Sequence, residues 1–326
     1  MNAGNIIGQS SLISKMERIL AGGRIVHAYL FTGPAGIGKK TMSKLLAQAL
    51  ICKGPGDKPC NSCSTCHQFV SGNHPDVIWI RRQEDKTGIT VDQIRSMQSA
   101  VKAKPYQAGR RICFIENAHL MTEQAQNALL KTLEEPPSNT LFFLLAENTS
   151  TLLPTIVSRC QVFRVGSLSR EDVTAILLNH LSVSKEEAAT YAALSQGNPG
   201  KALSLAGDEV FRGCREKLIN GLAQLGSLKA LELYGLFDEY RERADELLEI
   251  MEVWFRDLLV FRETRDEELV VNLDKVPQIV RQSNNLTGRD LKMMLEQVNY
   301  CRKLLKSNCN YQLTIENMLL SYQGGA

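Results

Sequence analysis

The sequence has no long uninterrupted run of apolar residues, and no segment reaches the roughly 20 apolar residues that a membrane-spanning helix requires. The start of the sequence also lacks a basic stretch followed by a continuous apolar one, which is the pattern of a secretory signal. Charge is nearly balanced, at 38 basic and 35 acidic residues, so the composition does not indicate a free-standing nucleic-acid-binding protein. These absences predict a cytoplasmic protein with no membrane partner.

Short runs rich in β-branched and aromatic residues are present before position 166, and helical patterns separate them. The runs lie at 27–32, 76–80, 111–116, 141–146 and 161–165. Because buried strands that alternate with helices form parallel sheets covered on both faces, we predict an α/β domain over residues 1–166. Beyond it apolar residues recur at helical spacing, which predicts a small helical domain at 167–207 and a larger one at 208–326.

A glycine-rich segment, GPAGIGKKT at 33–41, follows the first apolar run and precedes a helical pattern. This is the context of a phosphate-binding loop (P-loop), in which glycines let backbone N–H groups turn toward phosphate oxygens. Gly33, Gly36 and Gly38 would form the loop, and Lys39 would reach the terminal phosphates of ATP or ADP. A loop that only joins a strand to a helix is the alternative, and the residues leave both interpretations open.

Two positions depart from the pattern of an active P-loop ATPase. The residue after the loop lysine should be Ser or Thr to hold Mg²⁺, but it is Lys40, and Thr41 comes one residue late. At the end of the third apolar run, Glu116 is either a metal ligand or a solvated strand-end carboxylate, whereas Asn117 stands where a carboxylate would activate water. An amide is not a base at neutral pH, so we predict that ATP or ADP, if bound, is not hydrolysed.

Four cysteines cluster in the sequence, at Cys52, Cys60, Cys63 and Cys66. Their spacing lets the thiolates converge on one ion, and four thiolates with no open position describe a structural Zn²⁺ site. The segment 53–59 is rich in glycine and proline and could not bury a core, so a metal is expected to hold it. Disulfides, an iron–sulfur cluster and His67 as a substitute ligand are the alternatives.

Further stretches match one protein family. They read NALLKTLEEPP at 127–137, LLPTIVSRC at 152–160, IGQ at 7–9 and NYQLTIEN at 310–317. Together with the P-loop and the four cysteines, they make nearly the whole chain similar to subunits of the bacterial DNA polymerase III clamp loader. Within this family the chain resembles the delta-prime type more than the ATP-hydrolysing gamma/tau type, because its catalytic positions are altered.

The resemblance implies a three-domain AAA+ architecture: an α/β P-loop domain with a zinc insertion at 52–66, a small helical lid and an all-α collar. It also implies a hetero-pentameric ring with gamma/tau and delta subunits, which opens the sliding clamp and places it on primed DNA. In such a ring the chain would be a stator-like, non-catalytic subunit of the DNA polymerase III holoenzyme.

The resemblance also implies roles for individual residues. Arg159, in the Ser-Arg-Cys motif, would act in trans as an arginine finger on the γ-phosphate of a neighbouring subunit's ATP. Asn148 and Thr149 lie in the family's strand-end sensor region, and either is a candidate contact to a bound nucleotide. The sensor arginine of the lid aligns with Gly200, which removes that contact.

Two rival functions belong to other classes. An ATP-hydrolysing gamma/tau-type subunit, or another AAA+ loader, is opposed by Lys40 and Asn117. A zinc-dependent DNA-binding module is opposed by the composition of the cysteine segment, which has few aromatic residues for stacking and only modest basic charge, at Lys53 and Lys58.

Overall fold

A computed structural model describes residues 1–326 except 3, 5, 23, 24, 225, 226, 308 and 323–326, and it does not describe the side chains of 227–231. The chain divides into two units. The first consists of Met1–Ser169 with Asn198–Gly200, and the second consists of Arg170–Gly197 with Lys201–Ala326.

In the described part of the chain, five strands form one parallel sheet in the first unit. They are β1 (Ala28–Thr32), β2 (Val77–Ile80), β3 (Arg111–Ile115), β4 (Thr140–Ala146) and β5 (Gln161–Arg164). Their order across the sheet is β2-β3-β4-β1-β5. Every residue of β1, β3 and β4 is buried, as expected for strands that are covered on both faces. Each predicted apolar run forms one strand, which confirms the predicted parallel α/β sheet.

Helices pack on both faces of this sheet. They are α1 (Ser10–Leu20), α2 (Lys39–Ile51), α3 (Ser64–Val70), α4 (Val91–Val101), α5 (Glu123–Glu134) and α6 (Pro154–Ser158). Successive residues of a strand point to opposite faces. Phe143 therefore belongs to a core with residues of α1 and α2, whereas Phe142 belongs to a second core with residues of α4 and α5.

The second unit is helical in its described residues. Its helices are α7 (Arg170–His180), α8 (Lys185–Leu194), α9 (Pro199–Gly207, whose first two residues are counted with the first unit), α10 (Glu209–Leu222), α11 (Ser227–Glu239), α12 (Ala244–Thr264), α13 (Val276–Asn285), α14 (Gly288–Lys306) and α15 (Tyr311–Ser321). Trp254 and Phe255 of α12 are fully buried. Among the described residues, no helix has both the length and the apolar character to cross a bilayer.

A buried polar network crosses the second unit. Arg215 on α10 donates from Nη2 to Asp274 at 2.8 Å and to Asn272 Oδ1 at 2.6 Å. Asn272 Nδ2 donates to Asp257 on α12 at 2.7 Å, and the hydroxyl of Thr190 on α8 donates to Asp274 at 3.0 Å. Residues from both sides of the expected lid–collar boundary thus share one unit, and the exact boundary stays a prediction.

Candidate nucleotide, metal and arginine sites

The glycine-rich segment joins β1 to α2, which is the connection that a P-loop makes. β1 ends at Thr32, and α2 begins at Lys39. The backbone of Gly33 passes so close to the chain beyond β5 that an added Cβ would lie 2.5 Å from Val165 O. A side chain is therefore excluded at Gly33, and the loop follows a path that glycine permits.

Lys39 turns back onto its own loop. Its Nζ donates to Gly33 O at 2.6 Å and to Pro34 O at 2.7 Å. Partial burial lowers the pKa of Lys39, and the charge of Glu147 opposes that effect. The ammonium group that would bind a phosphate thus already has two carbonyl acceptors.

Asn198 and Gly200 lie against the same loop. Asn198 Nδ2 donates to Ala35 O at 2.8 Å, and Gly200 N donates to Gly36 O at 3.0 Å. A Cβ on Gly200 would lie 2.6 Å from Gly36 Cα, so the two backbones leave no room for a side chain. Gly200, which the resemblance predicts at the position of a sensor arginine, is therefore in direct backbone contact with the glycine-rich loop.

Lys40, which occupies the metal-ligand position of the P-loop, pairs with Glu116. Its Nζ lies 2.8 Å from Glu116 Oε1 and 3.1 Å from Oε2. Arg81 Nε lies 3.0 Å from Glu116 Oε2. Lys40 and Arg81 also lie 5.3 and 5.1 Å from the ring centre of Trp79, within reach of a cation–π contact. The strand-end carboxylate thus has two cationic partners, and Arg81 carries no motif that would have identified it.

The other predicted nucleotide positions have different surroundings. Thr41 is exposed on α2. Asn117 has a left-handed backbone, with φ 55° and ψ 47°, and precedes a short 3₁₀ helix. Asn148 Oδ1 accepts hydrogen bonds from Ser150 N at 3.1 Å and from Ser150 Oγ at 2.6 Å. Asn148 therefore uses its side-chain oxygen within its own turn.

The four cysteines of the expected zinc module converge. The Sγ atoms of Cys52, Cys60, Cys63 and Cys66 all lie within 4.8 Å of one another, and all four thiols are free. A tetrahedral zinc ion with zinc–sulfur bonds of about 2.3 Å separates its ligands by about 3.8 Å. Cys60 Sγ lies 3.9 Å from Cys66 Sγ, which fits that spacing. The cluster therefore suits a four-coordinate metal such as zinc.

Helix α3 and the turn before it bring three of these thiols together. Helix α3 begins directly after Cys63, and Cys66 is its third residue. Hydrogen bonds from Ser62 and from the backbone of Cys63 lower the pKa of Cys60 to about 5. The low pKa favours the thiolate of Cys60, which is the form that binds a metal, whereas burial raises the pKa of Cys66 to about 12. His67, the alternative ligand, is exposed on α3 and is not part of the cluster.

Arg159 lies on the short connection between α6 and β5. Its Nη1 donates to Thr155 O at 3.0 Å, and its Nη2 donates to Glu134 Oε1 at 2.7 Å. The side chain is 34% exposed, so the guanidinium is accessible at the surface of the first unit. The contact with Glu134 was not predicted, although the matched run at 127–137 contains that residue.

Two family models match the chain. The one described as "DNA polymerase III, delta subunit" matches residues 8–169, and the one described as "DNA polymerase III, delta subunit, C terminal" matches residues 213–324. Together they cover most of both units.

The curated relatives reported below are also subunits of DNA polymerase III. The chain is 36% identical to DNA polymerase III subunit delta-prime of Haemophilus influenzae, over 66% of this chain and 65% of that protein. It is 30% identical to subunit delta-prime of Bacillus subtilis, over 93% of this chain and 92% of that protein. It is 28% identical to subunit tau of Bacillus subtilis, over 93% of this chain but 58% of that longer protein.

Proposed function

Because the chain belongs to the delta-prime family of DNA polymerase III clamp-loader subunits, we propose that it is the non-motor member of a replicative clamp loader. It assembles in the cytoplasm with gamma/tau and delta subunits into a hetero-pentameric ring. The ring opens the sliding clamp and places it on primed DNA. In that ring the chain hydrolyses no ATP of its own and supplies Arg159 to the ATP site of a neighbouring subunit.

The ion pair between Lys40 and Glu116 is the main observation that supports the proposed absence of ATP hydrolysis. In a P-loop ATPase, Mg²⁺ is held by the hydroxyl after the loop lysine and by a strand-end carboxylate. Here an ammonium replaces the hydroxyl and lies 2.8 Å from the carboxylate. With Arg81 as a second cation on Glu116, Coulomb repulsion disfavours a divalent metal. Asn117 adds an obstacle, because its amide cannot take a proton from water.

The contacts of the P-loop support the same proposal. Lys39 donates to two loop carbonyls, and the segment Asn198–Gly200 donates to two others. An incoming phosphate would compete with these carbonyls for the three N–H donors of the Lys39 ammonium. We therefore assign to this loop at most the binding of ATP or ADP without hydrolysis.

The cysteine cluster is proposed as a structural Zn²⁺ site. Cys52, Cys60, Cys63 and Cys66 would hold the ion with four thiolates, which leaves no position for a substrate or a reactive water. The bound ion would fix the segment between α2 and α3, whose glycines and prolines provide few apolar contacts.

The exposed guanidinium of Arg159 supports a contribution in trans. Arginine keeps its charge at physiological pH, and its planar fork can bridge two phosphate oxygens. Such a side chain stabilises the negative charge that develops on the γ-phosphate during hydrolysis. Arg159 can reach a partner because it is partly exposed and lies outside the helices and strands.

A gamma/tau-type motor is the rival function, because the chain is also 28% identical to tau of Bacillus subtilis. A motor would hydrolyse ATP as an isolated chain, whereas the non-motor subunit would not. The Lys40–Glu116 pair favours the second outcome.

Co-purification and clamp loading test the clamp-loader role. The tagged chain, mixed with purified delta and gamma/tau subunits, is expected to elute as one complex that places a labelled clamp ring on primed circular DNA. Leaving out the chain should abolish loading. A loader that assembles and loads clamps equally well without this chain would contradict the proposal.

A further inference from the structure

Two adjacent carboxylates, Glu134 and Glu135, stand at the end of α5. The carboxyl end of a helix carries partial negative charge, so acidic side chains are unfavourable there. Lys131, in the same last turn, offsets part of this effect. A residue choice that conflicts with its local structure indicates that one of the carboxylates serves a contact elsewhere.

Glu134 makes such a contact. Its Oε1 accepts a hydrogen bond from Arg159 Nη2 at 2.7 Å, while Arg159 Nη1 donates to Thr155 O at 3.0 Å. The side chains of Glu134 and Arg159 are 49% and 34% exposed. Water screens an ion pair at this level of exposure, so the pair contributes little to the stability of the fold. The main effect of the contact is therefore to orient the side chain of Arg159.

We propose that Glu134 is the positioning residue of the Arg159 finger, an inference that rests on the proposed role of Arg159 in trans. An exposed arginine samples many rotamers, and hydrogen bonds from two separate nitrogens restrict it to one orientation. A guanidinium has five N–H donors, so these two hydrogen bonds leave donors for phosphate oxygens. Glu134 thus reduces the entropy that is lost when a neighbouring ATP site closes around the guanidinium.

Orientation is what Glu134 contributes, and its charge is not needed. A negative charge beside Arg159 weakens the positive field that stabilises the transferring phosphate, so the charge alone would slow the reaction. Glutamine keeps an acceptor oxygen at the same position and removes the charge. Glu134→Gln should therefore retain most of the rate of hydrolysis, and Glu134→Ala should lower it.

The test uses the full chain in a reconstituted loader in which every ATP site except the one facing this chain has been inactivated. DNA-stimulated hydrolysis is measured over a range of ATP concentrations. Glu134→Ala is expected to lower kcat about three- to tenfold, which corresponds to about 0.7–1.4 kcal/mol of transition-state stabilisation. The KM for ATP should stay within about twofold of wild type, because ground-state binding is not affected. Elution as an intact complex shows that each variant folds and assembles.

Matched variants separate positioning from a general effect of charge. Glu135→Ala removes the adjacent exposed carboxylate and should leave kcat unchanged, and Glu134→Gln should keep at least about half of it. Adding Glu134→Ala to Arg159→Ala should cause no further loss, because Glu134 acts through the arginine.

The outcomes distinguish this inference from the proposed function. A Glu134→Ala loader that is as fast as wild type, or faster, overturns the positioning role, and so does a loss that adds to that of Arg159→Ala. In both cases, slow hydrolysis by the Arg159→Ala loader would still support the role of Arg159 as an arginine finger. An Arg159→Ala loader with the wild-type rate would overturn the finger and this inference together.

Discussion

The ammonium of Lys40 and the carboxylate of Glu116 form a hydrogen-bonded ion pair of 2.8 Å, although the two residues lie 76 positions apart in the chain. Lys40 belongs to the first turn of α2, and Glu116 directly follows β3. The sheet therefore brings the P-loop helix and the strand-end carboxylate together. A positively charged ammonium therefore pairs with the carboxylate that would bind Mg²⁺ in an active P-loop ATPase.

The isolated chain is expected to hydrolyse ATP no faster than background. Asn117→Glu restores a carboxylate but leaves Lys40 paired with Glu116, so this variant should also be inactive. Phosphate release, with a gamma/tau subunit as the positive control, measures both proteins. Turnover by the wild-type chain at the rate of the control would show that the site is a motor.

Purified protein should contain about one Zn²⁺ per chain. Cys63→Ala removes one ligand, so zinc should be lost and the 53–59 segment should become more sensitive to protease, while circular dichroism shows that the sheet stays folded. Cys309→Ser is the control, since Cys309 is exposed and is not in the cluster. Elemental analysis checks the zinc content. A chain without zinc, or with the absorption bands of iron and sulfide, would refute the assignment.

Gly200→Ala should destabilise the first unit. The new Cβ would lie 2.6 Å from Gly36 Cα, which forces the backbones apart and weakens the bond from Gly200 N to Gly36 O. We expect a loss of about 1–3 kcal/mol in the free energy of unfolding, measured with urea. Gly207→Ala, in the same helix, is the control because nothing lies within 4 Å of its added Cβ. Equal stability of the two variants would mean that the close approach at Gly200 does not contribute to the free energy of unfolding.

Acid should weaken the second unit through Asp274. Burial raises the pKa of this carboxyl, but the hydrogen bond and charge of Arg215 outweigh burial and hold the pKa below its usual value of about 4. Such a group stabilises the fold above its unfolded pKa, and the contribution is lost as pH falls below about 4 and through the folded pKa. Asp274→Asn should cost about 3–5 kcal/mol at pH 7, because Arg215 stays buried without its anion.

Urea titrations at pH 7 and at pH 3 measure this effect. Wild type should lose stability between the two conditions, and Asp274→Asn should lose less. If both proteins respond to acid equally, the Asp274–Arg215 pair is not a source of the pH dependence.

The strands could be predicted because a buried strand appears in the sequence as a short run of apolar residues. The run at 141–146 is apolar throughout, and every residue of β4 is buried. The edge strand β5 is different, because only Phe163 is buried in it. The run at 161–165 predicts this strand, but the sequence does not reveal that β1 is its neighbour.

The candidate sites divide in the same way. The four cysteines lie within one short segment, so their spacing was enough to predict a cluster. Asn198 and Ala35 lie 163 positions apart, so no local sequence pattern could identify them as partners. The partners of Glu116 and of Arg159 likewise depend on how separate helices and strands pack, and no local pattern encodes that packing.

Hydrolysis of ATP by a reconstituted loader that carries Arg159→Ala shows whether a chain without its own ATPase activity promotes that of its neighbour. The change removes a partly exposed side chain, so the ring should assemble normally. ATP hydrolysis at the site facing this chain should slow on the order of a thousandfold, so the total rate of the ring should fall in part. Arg159→Lys should restore little of that rate, because a single ammonium lacks the planar fork of a guanidinium. A ring that assembles with Arg159→Ala and hydrolyses ATP at the wild-type rate would contradict the claim.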